Sequence, residues 1–500
     1  MKKKLVRLLA MTLVTALVLA NAAVAFAAET PKIQVQYNGQ NITFIDAVPQ
    51  IVDGRTMVPF RQVLETMGAQ VSYDQPTKTV MVKTEDLQFH FTIGSKDIHI
   101  TKDGVTTVKK TDVAPFIEKG TNRTLVGVRF MAEAMGNSVG WDPMAKTAII
   151  MDLQELFADA DKDFSILSLM MSTDLDMTKA YETTGGFQGD ITIPDPMDPS
   201  NLVKMSMAGD ISGVQQKMDA DMIMNFAINM EEMLAQMTPE EKAQMAPMLE
   251  MYKNINMKIK MDGESGDMFM NSPIFAMMDP GFTQDTWFKM NLYETYDALG
   301  MDIRPLMDMG QGKVSMSELL PMIFMSVEVW DVNTYSGIQQ GYAFMKNLMG
   351  DEAFRSSTSG TITTHTLTID QTKVFAAMAK TALDAGIQTD SADMAEMAEA
   401  LRDMNLKADI NVKEKADALY SYTLSASGGS EEMTLDFDLS GDSYTSVGSM
   451  MMEQKGMMNM LMEFDSKLTV TTKTPDLTLP QGARLVDYNQ YMEQLMMPVQ

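Results

Sequence analysis

GRTMVPFRQVLETMGAQVSYDQPTKT (residues 54–79) returns as NRTLVGVRFMAEAMGNSVGWDPMAKT (residues 122–147), at a constant offset of 68. Arg55 and Arg123, Thr56 and Thr124, Val58 and Val126, Arg61 and Arg129, Glu65 and Glu133, Met67 and Met135, Gly68 and Gly136, Val71 and Val139, Asp74 and Asp142, Lys78 and Lys146, and Thr79 and Thr147 coincide. A shared register of that length marks a duplicated structural unit. Phe60, Val63, Leu64 and Met67 fall at i, i+3, i+4 and i+7, as do Val128, Met131, Ala132 and Met135, which predicts one short amphipathic helix per copy. Pro59 suits the first helical turn of copy one, and Gly68 and Gly136 stand where a left-handed cap ends each helix. AQVSYD and NSVGWD then alternate like half-buried strands, each closed by a turn that opens on Asp. Between the copies, LQFHFTIGSKDIHITKDGVTTVKK alternates apolar and polar residues around Gly94 and KDG and predicts further hairpins.

The doubled pattern of an Arg-Thr-apolar-Val stretch, a following Arg, E.MG and V.(Tyr/Trp)D....KT, preceded by VQYNGQNI, resembles the copper amine oxidase N-terminal-like domain over residues 31–152. The resemblance implies a non-catalytic accessory or surface-binding module of exported bacterial proteins, one that in the oxidases neither binds the copper nor carries the quinone. Copy two departs from copy one in having Gly127 at the place of Pro59. Arg61 with Glu65 and Arg129 with Glu133 are spaced to pair along a helix. Arg55, Arg61, Arg123 and Arg129 are the candidates for gripping an anionic wall polymer. The competing reading, which the repetition favours, is that these arginines and Asp74, with its copy-two equivalent, tie helix to hairpin. Tyr73 and Trp141 read as core rather than as glycan platforms.

The chain begins MKKKLVRLLAMTLVTALVLANAAVAFAAET, a basic start, an apolar run and small residues at Ala25 and Ala27, which reads as a cleaved secretory signal over residues 1–27. Its removal takes Lys2, Lys3, Lys4 and Arg7 and lowers the formal charge from -27 to -31. So acidic a chain repels nucleic acid and anionic membrane. With no cysteine, disulfides, thiolate metal sites and cysteine nucleophiles are excluded together. No later stretch is apolar enough to span a bilayer. The sequence therefore predicts a secreted, extracellular or cell-surface protein of bacterial type, with a cell-wall or envelope component as partner and no transmembrane segment in the mature form.

Of 54 methionines, 45 follow Leu153, and a shift that sharp places a domain boundary there. Residues 28–152 read as the two-copy module, 153–164 as a linker or helix start, and 165–500 as a second domain. DADKDF (159–164) imitates the start of a calcium loop, but Phe164 and Met170 occupy the positions that need Gly and Glu. In the second domain NLVKMSMAGDISG, QQKMDADMIMNF and NINMKIKMDG show period two, as do TITTHTLTID, EEMTLDFDLSG and FDSKLTVTTKT later. Amphipathic segments interrupt them, among them SMSELLPMIFMSV and YSGIQQGYAFMKNLMG. The fold class expected is α+β: a tandem β-hairpin/helix module followed by a large curved antiparallel β-sheet with packed helices. The order of meander, helices and second meander loosely resembles the lipoprotein-carrier fold of the LolA and LppX type, which implies a lipid-sized apolar cavity.

The inventory for catalysis is poor. Of the three histidines, His90 and His99 lie between the repeats, and His365 reads as an exposed strand residue. No nucleophile elbow, zinc-protease pair, phosphate loop or dinucleotide fingerprint occurs, and no carboxylate pair stands out for glycan hydrolysis. Neither enzyme activity nor a resident cofactor is therefore expected. Methionine outnumbers Phe, Tyr and Trp combined and serves as the general apolar residue, a soft packing suited to an apolar ligand, lipid or peptide. The alternatives are copper(I), which accepts thioethers, and a glycan-active enzyme. SMMMEQKGMMNMLM (449–462) fits no simple amphipathic helix and is expected as a helix or loop between two strands, with Met450, Met451, Met452, Met457, Met458, Met460 and Met462 as ligand or lid candidates.

Overall fold

The computed structural model describes residues 32–85, 87–102, 104–172, 175–176, 178–194, 202–235, 237–279, 281–297, 303–304, 315–325, 330–386, 405–430 and 432–496. The signal segment lies outside them. Among the described residues two compact units divide the chain: one contains 32–160 together with 317–343, the other 161–316 and 344 onward.

The first unit is built from β1 (Gln34–Tyr37), β2 (Gln40–Asn41), β3 (Gln50–Val52), β4 (Arg55–Pro59), β5 (Gln70–Asp74), β6 (Thr79–Lys83), β7 (Leu87–Thr92), β8 (Asp97–Lys102), β9 (Val105–Lys110), β10 (Phe116–Ile117), β11 (Thr124–Gly127), β12 (Ser138–Asp142) and β13 (Thr147–Met151). They form three sheets, ordered β12-β13-β1-β2, β10-β11-β4-β3 and β5-β6-β7-β8-β9. The repeat explains the middle sheet. β4 and β11 are the same strand in the two copies and pair antiparallel with Val58 opposite Val126, so the copies meet across a local two-fold. The helices Phe60–Thr66 and Val128–Ala134 follow, burying Val63, Leu64, Met131 and Ala132 in one core with Val58 and Val126. Gly68 (φ 81°) and Gly136 (φ 79°) close these helices in the left-handed region, where a side chain would be strained. Pro59 does not enter the first helical turn. It ends β4 as the N-cap at φ -61°, and Gly127 takes nearly the same φ, -60°, in copy two, which is why that exchange leaves the fold intact.

Residues 317–343 complete this unit. Phe324 stacks on Phe157 with ring centroids 5.4 Å apart, Tyr342 meets Phe157 edge-on at 5.2 Å, and Trp330 covers Gly140 so closely that a Cβ there would sit 2.1 Å from the indole. The stretch 153–164 is largely helical, with Leu153, Phe157, Ala160 and Phe164 buried. Two of its acids belong to the second unit and bind distant parts of that unit: Asp161 accepts from the Met316 amide at 2.5 Å, and Asp163 pairs with Lys346 at 2.8 Å.

The second unit carries a single sheet of fourteen strands: β14 (Ala180–Pro194), β15 (Leu202–Gln216), β16 (Asp219–Asn229), β17 (Ile255–Met261), β18 (Asp267–Asn271), β19 (Thr286–Asn291), β20 (Arg355–Ser359), β21 (Ile362–Asp370), β22 (Lys407–Lys415), β23 (Ala418–Gly429), β24 (Met433–Gly441), β25 (Thr445–Gln454), β26 (Met458–Thr471) and β27 (Arg484–Asp487). The order is β20-β21-β22-β23-β24-β25-β26-β14-β15-β16-β17-β18-β19-β27. Every pairing is antiparallel except β19 with β27. The expected pair of meanders is therefore one curved sheet, joined where β14 pairs with β26. Glycine allows the strands to crowd together: a Cβ on Gly209 would lie 2.3 Å from the Asn225 carbonyl oxygen, and one on Gly213 2.2 Å from that of Asp221. At the β19 end, Phe288 is fully buried and meets Phe275, Phe282 and Tyr488 edge-on, which pins the helix Tyr488–Met496. The architecture is α+β, as the alternation and amphipathic segments predict.

Candidate functional site

Successive strand residues alternate between faces, so the register assigns every side chain of the large sheet to one side. One side is apolar from β21 to β16. A row of directly opposed residues runs Ile369, Ala408, Ala426, Phe437, Met450, Met462, Gly189, Met207, Ile228. The next runs Leu367, Ile410, Leu424, Leu439, Gly448, Phe464, Phe187, Gly209, Phe226. Burial changes along both. On β21 to β24, Ile369, Leu367, Ile410, Leu424, Phe437 and Leu439 are buried, and the helices Gln371–Asp384 and Ser165–Met171 pack on β21 and β23. From β25 onward Met450, Met462, Phe464, Phe187, Met207, Phe226 and Ile228 are only half-buried. The Phe187 and Phe226 rings sit 6.1 Å apart across the glycine gap at Gly209.

The methionine cluster at 449–462 is neither helix nor loop. It is the hairpin of β25 and β26, turned at Lys455–Met457 with Gly456 at φ 69°. Period two absorbs what helical spacing could not: Met450, Met452, Met458, Met460 and Met462 share the apolar side. Met451 points to the other side, 45% exposed, and Met457 lies in the turn, 59% exposed. Phe187, Phe226, Phe464 and Met207 join the same surface. The sequence held their signal, strict alternation around glycine, but gave no sign that β14 would lie beside β26.

The opposite side is polar and holds two grooves. One of about 880 Å³ crosses β23 to β15 between rows that include Asp438, Glu463, Asp465 and Gln188. Another of about 570 Å³ lies where the helices Glu231–Ala235 and Pro239–Tyr252 meet β14 to β16. Neither is the enclosed apolar cavity that a lipoprotein carrier would supply. Among the described residues no three His, Cys, Asp or Glu side chains converge as a metal cage.

His365 is buried rather than exposed. Its Nδ1 lies 2.8 Å from Ser356 Oγ and its Nε2 3.3 Å from Glu414. The Ser-His-carboxylate sequence is that of a nucleophile relay. Here, however, it spans the cross-strand pair Ser356–His365 at the sheet edge and borders neither groove, and it ties β20 to β21 and β22.

In the first unit, Arg61 bonds Glu65 at 3.5 Å and the Val71 carbonyl at 3.0 Å, so it does tie helix to hairpin. Arg129 lies 4.0 Å from Glu133. Arg55 pairs with Asp112 at 2.5 Å and Arg123 with Asp46. Asp74 and Asp142 bond their own turns instead of an arginine, Asp74 through Thr77 and Asp142 through the amides of Met144 and Ala145. The four arginines do not converge on one another through any of these bonds. All are exposed ion pairs, each worth little to stability.

His90 and His99, opposite each other on β7 and β8, stack with centroids 4.7 Å apart and planes within 5°. Burial, and then the charge of His99, hold the His90 pKa below its ordinary 6.5. The folded unit thus takes up this proton at lower pH than the unfolded chain. The stabilisation is complete above about pH 6.5 and is lost as pH falls through the folded value. We expect the urea midpoint of the first unit to fall between pH 7.5 and 5, and to fall less in His90→Gln. Equal slopes in the two proteins would remove the pair as the cause.

Residues 36–150 match the family model described as the copper amine oxidase N-terminal domain, so the resemblance read from the repeat holds for that part of the chain. No curated protein matches the chain. Among solved structures it is similar to the crystal structure of the Acinetobacter baumannii outer membrane protein Omp33, at 5% identity and a TM-score of 0.11, over 58% of this chain and 100% of that one. That likeness is too slight to assign a fold. The lipoprotein-carrier resemblance is not confirmed. Among the described residues no helix is long and apolar enough to cross a membrane.

Proposed function

We propose that this is a secreted, non-catalytic, envelope-associated binding protein whose N-terminal module contacts the cell surface and whose large sheet holds an apolar ligand. One observation carries the second part: rows of apolar residues that are buried on β21 to β24 stay half-buried from β25 to β16. Leaving that much Met and Phe surface partly wet forgoes about 25 cal/mol per Å² of burial, which a bound acyl chain would recover. Methionine suits the task because its unbranched thioether repacks around varied shapes. A lipid-like chain suits this surface because it lies on the face of the sheet, where every strand from β25 to β16 already has both backbone partners and offers side-chain burial rather than main-chain hydrogen bonds.

Organic extraction of the protein purified from its native host, followed by mass spectrometry, should release a long-chain apolar compound in near-stoichiometric amount. A clean extract from protein that also ignores added lipid would refute the ligand reading. The module is tested separately by retention of the full chain on isolated cell walls, where loss of retention in Arg55→Ala/Arg123→Ala would favour the arginines as the contact.

A further inference from the structure

Three of the Met-x-Met pairs in the sequence, 205/207, 450/452 and 460/462, come together on one side of the sheet. Met450 stands directly opposite Met462, and Met452 opposite Met460. One strand further, Met462 faces Gly189 and Met460 faces Ile191, and beyond β14 these face Met207 and Met205. We propose that these six methionines form a thioether site for a soft monovalent ion, Cu(I) or Ag(I). This site is independent of the apolar-ligand reading, although it shares that surface.

Met450, Met452, Met460 and Met462 hold their Cβ atoms about 5 Å apart across the strands and about 7 Å apart along them, within reach of three-torsion side chains aimed at one point, while Met205 and Met207 stand two strands beyond β26, about 10 Å away, and flank the site across Gly189 and Ile191. Gly189 leaves the middle of the cluster open: a Cβ there would lie 2.2 Å from Met462 Sδ, so this thioether rests over the glycine, between its own strand and that of Met207. The carboxylates nearby are on the wrong side, since Asp190, Asp436, Glu453 and Glu463 all alternate away from the methionines, and the polar side chain that shares their side next to Met452 is the neutral Gln454. A site of thioether sulfur without a carboxylate or imidazole selects soft ions over calcium, magnesium or zinc, and a chain with no cysteine offers no thiol to compete. All six side chains are half-buried, sheltered from bulk water without being sealed in a core.

The test uses the full chain. Silver(I) nitrate, which needs no reductant, is titrated by calorimetry, and Cu(I) is titrated anaerobically against a chromogenic chelator. The wild type should show one class of site of micromolar affinity or tighter. Met450→Leu/Met460→Leu/Met462→Leu, which keeps size and hydrophobicity, should bind at least tenfold more weakly. Met222→Leu/Met224→Leu, a Met-x-Met pair elsewhere on the same side, should bind like the wild type. In wild-type protein labelled at the methionine methyls, Ag(I) should shift the resonances of these six first, a readout that needs no substituted chain to fold. Absence of a tight class, equal affinity in the triple variant, equal loss in the β16 control, or methyl shifts spread over unrelated methionines would each overturn the proposal. Because leucine preserves the apolar surface, lipid retention by the triple variant separates failure of this site from failure of the ligand reading.

Discussion

Leu64→Ala should cost the first unit about 2–5 kcal/mol, the range for removing a buried leucine that cannot be replaced by collapse. Leu64 is fully buried among Val58, Val63, Val126 and Met131. The repeat sharpens the expectation, because the equivalent of Leu64 in copy two is Ala132, also fully buried. The two-fold at Val58 and Val126 brings the helices into one core, and the pair is filled by one large and one small residue. The reverse change, Ala132→Leu, should therefore also destabilise, by about 1–3 kcal/mol from overpacking, while the double exchange should recover part of the loss. Trp141, packed against this core, reports the transition in urea. A Leu64→Ala effect below about 1 kcal/mol would mean that the two copies do not share a core.

Gly213→Ala should cost the second unit on the order of 3 kcal/mol, large for the addition of one methyl group. The new Cβ would start 2.2 Å from the Asp221 carbonyl oxygen of β16, a backbone atom that can move only with its strand. The comparison is Gly456→Ala in the β25–β26 turn, where φ is 69° but nothing lies within 4 Å of the new methyl. That change should cost about 1–2 kcal/mol, from backbone strain alone. Thermal unfolding followed by circular dichroism ranks the two. The opposite order would show that strand crowding at the glycines is not what shapes the sheet.

Much of the first unit was legible because its signals are local. An i, i+3, i+4, i+7 stripe, a glycine one residue past it and an alternating hairpin each lie within a dozen residues, and the duplication read them twice. What was not legible was long-range. Nothing near Phe324, Trp330 or Tyr342 announces that residues 317–343 pack with Phe157 and Gly140, since an amphipathic helix does not name its partner. The union of the two meanders through β14 and β26 depends on pairing Ala180 with Thr471, a separation no periodicity encodes. The hairpin at 449–462 was legible in principle. Methionine carries no strand preference, and its density invited a helical count, but Lys455-Gly456 marks a turn between two period-two runs. His365 is buried against the expectation for a related reason: alternation gives its side of the sheet, but not that this side is covered.

The central claim is that the half-buried methionine and phenylalanine surface from β25 to β16 holds an apolar ligand. Titration of a fluorescent long-chain fatty acid into delipidated protein tests it through two glutamates on the paired strands β26 and β25, one register position apart and on opposite sides of the sheet. Met462→Glu puts a charge on the apolar side beside Gly189, whereas Met451→Glu puts it on the opposite side, at a position already 45% exposed. The account predicts micromolar binding to the wild type and to Met451→Glu, and affinity at least tenfold weaker for Met462→Glu. No binding to the wild type, or equal binding to the two variants, would contradict it.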